Sequence, residues 1–165
     1  LNIPAVLKTV DLLREKKWHI PASAVYNGLA NAASQTGLMG RWQVIGHNPL
    51  MVCDTGHNED GIRQVVQQLS NMAYKKLHIV FGMVSDKDPA AVLALLPRNA
   101  VYYFTKAQIP RALDEKLLQE KASFFGLKGD AYPAVSEAFK AAKTAASPKD
   151  LIFAGGSNFV VGEIL

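Results

Sequence analysis

From Trp42 onward, short apolar runs bounded by glycine, proline and small polar residues alternate with longer segments whose apolar residues recur at helical spacing. Trp42 to Ile45, Leu50 to Cys53, Leu77 to Val84, Ala100 to Phe104 and Leu151 to Ala154 read as strands, with Leu127 to Ala131 as a short edge strand. Runs such as Leu50 to Cys53 and Leu151 to Ala154 are apolar throughout, which is the pattern of strands covered on both faces. Asn58 to Ser70, a segment after Asp88-Pro89, Ala112 to Phe124, Pro133 to Ala146 and Asn158 to Leu165 read as helices. Asp88 suits an N-cap, because its carboxylate can accept an orphan backbone N–H, and Pro89 suits a first helical position, where its missing N–H costs nothing. The expected fold is α/β, a mostly parallel sheet with helices on both faces.

The chain before Trp42 follows a different rule. Pro4 opens a helix in which Val6, Leu7, Val10 and Leu13 share a face as far as about Lys17, and Trp18-His19-Ile20 is a connector. Pro21 opens a second helix with Val25, Leu29 and Ala32 on one side, and Ser34 to Gly37 reads as a linker. Two units are expected, residues 1–37 and residues 38–165.

At 165 residues and 49% hydrophobic, the chain has material for one good core and not for two. A net charge of +4 suits anionic ligands, yet the basic residues are scattered from Lys8 to Lys149 with no aromatic-interleaved stripe, which argues for a solvated surface over a nucleic-acid site. Cys53, the single cysteine, excludes an internal disulfide, and its apolar surroundings mark it as a buried thiol that fits a reducing cytoplasm. No run approaches the length of a membrane helix, and the start at Leu1 has no signal-peptide pattern.

The chemistry concentrates between Gly40 and Asn58. Asp54 ends a strand, at the edge where open α/β sheets bind ligands. Its carboxylate can accept from ribose hydroxyls or hold a cation, or it can be a turn acid that satisfies the backbone of Thr55 to His57. Gly56 permits a sharp turn that leaves His57 above the sheet edge, and no acid, histidine or cysteine stands at metal-ligand spacing around that ring. Glu59 and Asp60 already satisfy the following helix dipole, so this helix start is a poor phosphate cradle. Arg41 either reaches a phosphate or is a surface arginine. Asp86-Lys87-Asp88 closes another strand and reads mainly as cleft organisation, while Gly155-Gly156-Ser157 is a tight turn able to offer N–H groups and a hydroxyl to an anion. Neither G-x-G-x-x-G nor a phosphate loop is present, which disfavours a dinucleotide cofactor and places any phosphate loop outside this chain.

Gly40-Arg41, Asp54-x-Gly56-His57-Asn58, Gly82 to Asp88 (G-M-V-S-D-K-D) and Gly155-Gly156-Ser157, in that order, resemble the C-terminal domain of the folylpolyglutamate synthase family of Mur ligases. Thr55 stands where the family commonly has glycine, and Glu59 where it has proline. The resemblance implies a Rossmann-like domain at 38–165, preceded by the terminal helices of an ATPase domain at 1–37. It implies an ATP-dependent ligase, with or without dihydrofolate synthase activity, that joins L-glutamate to a folate or dihydropteroate through an acyl phosphate. By residue match, Arg41 and Asp54 fall to ATP and His57 and Ser157 to glutamate, while Asn58, Asp86 and Lys87 organise the cleft. Magnesium and the phosphate loop belong to the preceding ATPase domain, so no metal ligand is expected here and the chain alone is expected to be inactive. The rivals are another Mur-type amino-acid ligase and a noncatalytic α/β binding module.

Overall fold

The computed structural model describes residues 3–86 and 88–165, so Lys87 lies outside the described residues. The chain divides into two compact units, Leu1–Met39 and Gly40–Leu165. The first holds α1 (Ile3–Glu15), α2 (Ala22–Ala30) and α3 (Ala32–Thr36). Lys17, at φ 66°, ends α1: its N–H donates to Arg14 C=O at 2.8 Å and the Trp18 N–H to Leu13 C=O at 3.1 Å, which satisfies two carbonyls that a helix end would otherwise strand. One helix and a linker were expected after Pro21, but Asn31 breaks that helix and a third extends through Ser34 to Thr36. The Asn31 side chain donates to the Asn27 carbonyl at 3.1 Å, a local bond that competes with helix continuation. None of the three helices buries a residue, and Ile3, Val6, Leu7, Leu12, Tyr26 and Leu29 are exposed.

The second unit contains, in chain order, β1 (Gln43–His47), β2 (Leu50–Asp54), α4 (Glu59–Ser70), β3 (Leu77–Phe81), α5 (Ala90–Leu93), β4 (Val101–Thr105), α6 (Glu115–Ser123), β5 (Lys128–Tyr132), α7 (Val135–Ala145), β6 (Leu151–Gly155) and α8 (Asn158–Gly162). The strands form one sheet in the order β1-β2-β6-β3-β4-β5. β1 pairs antiparallel with β2, and every other neighbouring pair is parallel. The α/β expectation is therefore met.

Alternation along the central strands sorts the core into two layers. Leu151 and Phe153 of β6 join Ile79 and Phe81 of β3 under α4, α5 and α6, while Ile152 and Ala154 join Val80 under α7 and α8. Ile62, Val65 and Leu69 of α4 are buried at helical spacing, each contributing about 1.5–3 kcal/mol of apolar burial. Burial, helped by the Asp54 charge next to it, pushes the Cys53 thiol up to about 11, which keeps it neutral and inert.

Two boundaries shift for reasons that matter to the site. β3 stops at Phe81 instead of continuing to Val84, and Val84 forms an antiparallel bridge with Ala112. That bridge holds Ala112 out of a helix, so α6 starts at Glu115, where the Asp114 carboxylate caps the N–H groups of Lys116 and Leu117. Pro89 occupies the N-cap position of the short α5, and Asp88 caps from one residue earlier by accepting the Ala90 N–H at 3.1 Å.

Candidate functional site

β2, β6 and β3 lie side by side and parallel, so the loops that leave them converge on one edge. The chain leaves β2 and β3 for helices of one layer and leaves β6 for α8 in the other. Connections departing to opposite faces open a crevice between neighbouring strand ends. Asp54 ends β2, Ser85 follows β3 and Ser157 follows β6, so all three stand at this edge.

At the end of β2, Asp54 is buried and both of its carboxylate oxygens accept backbone N–H groups: Oδ2 from Trp42 at 2.8 Å and Oδ1 from Gly56 at 2.7 Å. This is the backbone-satisfying role weighed for a turn acid, with Trp42 as an unforeseen partner twelve residues away. A carboxylate offers about four acceptor sites, so further lone pairs remain. The Thr55 N–H donates to Gly40 C=O at 2.8 Å, and the Gly40 N–H to Gln43 Oε1 at 2.8 Å. Gly40 has φ 70°, and a Cβ there would meet Thr55 Cγ2 at 2.7 Å, which accounts for the glycine. Arg41 is thus exposed between two residues tied to the β2 terminus.

His57 is exposed and its Nδ1 lies 3.0 Å from Thr55 C=O. A carbonyl can only accept, so Nδ1 carries the proton and Nε2 is the ring's remaining polar atom. Asn58 caps α4, with Oδ1 accepting the Gly61 N–H at 2.9 Å.

The loops after β3 and β4 are sewn together. Ser85 donates to the Arg111 carbonyl from both N–H at 2.8 Å and Oγ at 3.1 Å, and the Leu113 N–H donates to Met83 C=O at 2.9 Å. The Arg111 guanidinium lies 5.0 Å from the centre of the Phe159 ring and 3.5 Å from Asp86 Oδ2. Ser157 is buried and caps α8, its Oγ accepting the Phe159 N–H at 3.2 Å. Gly156, at φ 90°, lets this turn close against β3, because a Cβ would stand 2.6 Å from the Phe81 ring.

These pieces enclose a cleft of about 120 Å³ lined by His57, Val84, Asp86, Arg111, Ser157 and Phe159. Larger, shallow hollows of about 440 and 460 Å³ lie along α7 and beside Lys106. The smaller cleft is the better candidate because it joins the ends of β2, β3 and β6. His57, Asp86 and Ser157 meet in it, whereas Arg41, Asp54 and Asn58 stand outside its lining. Arg111 was missed. It reads as one of many scattered bases, although its place just past a strand end puts it on the ligand edge.

The family model described as "Mur ligase, glutamate ligase domain" matches residues 40–158. The chain belongs to this family. Arg41, Asp54, His57, Asn58, Asp86, Arg111 and Ser157 all lie inside the matched Mur ligase segment. The chain is 36% identical over 157 residues to a Haloferax volcanii protein named "Probable bifunctional folylpolyglutamate synthase/dihydropteroate synthase", with 93% of this chain and 18% of that protein covered. FolC of Escherichia coli, solved in complex with DHPP and ADP, superposes with a TM-score of 0.80 at 25% identity, over 94% of this chain and 36% of that one. A bifunctional folylpolyglutamate synthase/dihydrofolate synthase with Mn, AMPPNP and L-glutamate bound gives 0.80 at 28% identity, again over 94% and 36%. The chain thus spans between about a fifth and little more than a third of these relatives. Among the described residues, no group of three histidine, cysteine or acidic side chains is placed to hold a metal ion. No described helix is long and apolar enough to cross a membrane.

Proposed function

We propose that this is the amino-acid-binding domain of an ATP-dependent folylpolyglutamate synthase. The observation that carries the reading is the cleft joining His57 to Ser157 at three adjacent strand ends, in a domain whose relatives bear folylpolyglutamate synthase names. In such a ligase, ATP transfers its γ-phosphoryl group to a folate or dihydropteroate carboxylate, giving an acyl phosphate and ADP. The glutamate amine attacks the acyl carbon, the C–O bond to phosphate breaks, and the amide forms with loss of a proton from nitrogen.

This domain's part is to bind and orient. Arg41 offers a planar fork of donors to a nucleotide phosphate, with Asp54 accepting from the nucleotide beside it. His57 Nε2 and the Ser157 hydroxyl hold the incoming glutamate, and Asn58 and Asp86 keep the strand-end loops in place. By its sequence position alone, Lys87 is assigned the same cleft-organising role. Magnesium and the phosphate loop are supplied by a preceding ATPase domain, of which α1 to α3 are the terminal helices; their exposed apolar residues suit burial against it. The cytoplasm, which supplies ATP and keeps Cys53 reduced, is the proposed compartment, and this chain alone is inactive.

The test uses the complete ligase that carries this domain. His57→Ala and Ser157→Ala are expected to raise the KM for glutamate far more than the KM for ATP, because only amine placement is lost. Equal changes in both constants would return these residues to turn and cap roles.

A further inference from the structure

Asp54 at the end of β2 and Asp86, Asp88 and Asp114 in the loops after β3 and β4 stand at or near the C-terminal edge of the sheet, and three of these four serve the backbone. Asp54 takes the N–H groups of Trp42 and Gly56, Asp88 that of Ala90, and Asp114 those of Lys116 and Leu117. Asp86 is the exception. Among the described residues its hydrogen-bond partner is the Arg111 guanidinium, at 3.5 Å, and the two line the cleft with His57 and Ser157.

Arg111 is held more firmly than its exposure suggests. Its carbonyl is gripped twice by Ser85, and its guanidinium rests over the Phe159 ring. A fork held in this way loses little freedom when it binds a carboxylate. The ion pair itself is loose, since the side chains of Arg111 and Asp86 are 57% and 50% exposed, and exposed pairs at such distances contribute little. A ligand carboxylate can replace Asp86 on the guanidinium at small cost. An ammonium beside that carboxylate then meets the displaced Asp86.

Resting on the reading of this cleft as the amino-acid site, we propose that Arg111 and Asp86 together recognise the zwitterion of the incoming amino acid. Arg111 takes a carboxylate. Asp86 takes the ammonium and, while the cleft is empty, keeps anions that lack an amine off Arg111. Asp86 is the specificity residue of the pair, because its charge rewards an amine and disfavours a bare dicarboxylate. This is recognition only, and no bond forms or breaks.

The experiment compares L-glutamate as substrate with glutarate, which has the same two carboxylates and no amine, as inhibitor. Both constants and the thermal midpoint are measured in the complete ligase for the wild type, Asp86→Asn and Arg111→Ala. Asp86→Asn should raise the glutamate KM by about fivefold and tighten glutarate by a similar factor, the scale of one exposed ion pair. Arg111→Ala should weaken both by about tenfold or more, the scale of a charged hydrogen bond. The thermal midpoint should stay put in both, since neither side chain is buried. If Asp86→Asn moves glutamate and glutarate the same way, or moves neither, Asp86 does not discriminate. If His57→Ala and Ser157→Ala raise the glutamate KM while Arg111→Ala does not, the zwitterion pair falls and the amino-acid site stands. If none of the substitutions affects glutamate, the site lies elsewhere and both readings fall.

Discussion

The two edges of the sheet each carry a histidine with acids and hydroxyls near it, and they solve opposite problems. At the N-terminal edge, His78 at the start of β3 is fully buried: Nδ1 meets the Tyr103 hydroxyl at 2.9 Å and Nε2 lies 3.5 Å from Asp150 Oδ2, just before β6. Tyr103 also stacks on His78, and Asp150 accepts the Ser147 N–H at 2.7 Å. At the C-terminal edge, His57 bonds only to a neighbouring carbonyl among the described residues and turns Nε2 outward, while Arg111 and Asp86 are half exposed. Helices and strands cover the first cluster, and diverging loops uncover the second. Burial, not residue type, separates the structural histidine from the one proposed to meet the ligand.

The comparison breaks most visibly at the closed edge. His78→Ala leaves a cavity and strips both the Tyr103 hydroxyl and Asp150 of a buried neighbour, so a loss of about 2–4 kcal/mol in folding stability is expected. Chemical denaturation measures it, and the glutamate KM of the complete ligase should not move. A midpoint within error of wild type would mean that the closed cluster does not hold β3 to β4.

Next in size is Asp54, the acid on which the open edge depends. Asp54→Asn sets an amide N–H₂ against one of two backbone N–H groups, which removes a charged hydrogen bond worth about 1.5–3 kcal/mol. If Arg41 and Asp54 serve the nucleotide, the ATP KM should rise by about tenfold to a hundredfold. A stability loss with an unchanged ATP KM would confine Asp54 to its turn.

Ser157 joins a cap to its proposed contact with glutamate, so its removal is expected to disturb the fold as well. Its Oγ caps α8 from a buried position, so Ser157→Ala should lose about 1 kcal/mol of stability in addition to raising the glutamate KM. Ser157→Thr keeps the hydroxyl and is expected to restore most of the stability. Recovery of the midpoint without recovery of the glutamate KM would point to the shape of the cleft instead of the cap.

The sequence showed which strands exist and which edge their ends share, because apolar runs, breakers and the common direction of parallel strands are local or topological signals. It also indicated that Asp54, His57 and Ser157 belong to that edge. It did not show that Asp54 reaches back to Trp42, that Val84 bridges Ala112, or that Arg111 enters the cleft through that bridge. Each of these depends on two distant segments meeting at a chosen register, and neither segment alone carries a periodic signal. Asn31 was missed for a different reason: a single side-chain-to-carbonyl bond outweighed an otherwise continuous helical pattern.

A smaller effect comes from pH. Burial holds the His78 pKa below its ordinary value, against the opposing pull of Asp150, so the folded protein keeps this ring neutral. The groups facing it are Tyr103, Asp150 and the nearby Lys76. Below about pH 6.5 the unfolded chain takes up a proton that the folded chain refuses. The contribution is therefore complete above that value and declines as pH falls toward the folded pKa. Asp150 adds a second decline at lower pH: backbone bonding to Ser147 holds its pKa below the usual carboxylate range, and its contribution is lost as pH falls through that lowered value. Denaturation curves at several pH values should show His78→Phe flattening the first decline and only reducing the second, because Ser147 is the larger cause of the Asp150 shift and His78 a lesser one. An unchanged slope between pH 6.5 and 5 would mean that His78 takes up its proton equally in the folded and the unfolded protein.

The smallest expected change sharpens the comparison most. His57 is exposed and bonds through Nδ1 to a carbonyl two residues away, so His57→Ala removes little buried surface and strands no buried group. Its effect on stability should lie within about 0.5 kcal/mol, the usual range for surface substitutions. Its effect on the glutamate KM should nevertheless exceed that of His78→Ala, which is the more damaging change to the fold. Denaturation and glutamate kinetics on the two variants, run side by side, decide the matter. If the two edges divide as structure and recognition, the variants exchange rank between the two measurements. Should His57→Ala instead lower stability as much as His78→Ala, the turn after β2 would be a structural element of the fold, and the exposed ring would owe its place to that turn and not to a ligand.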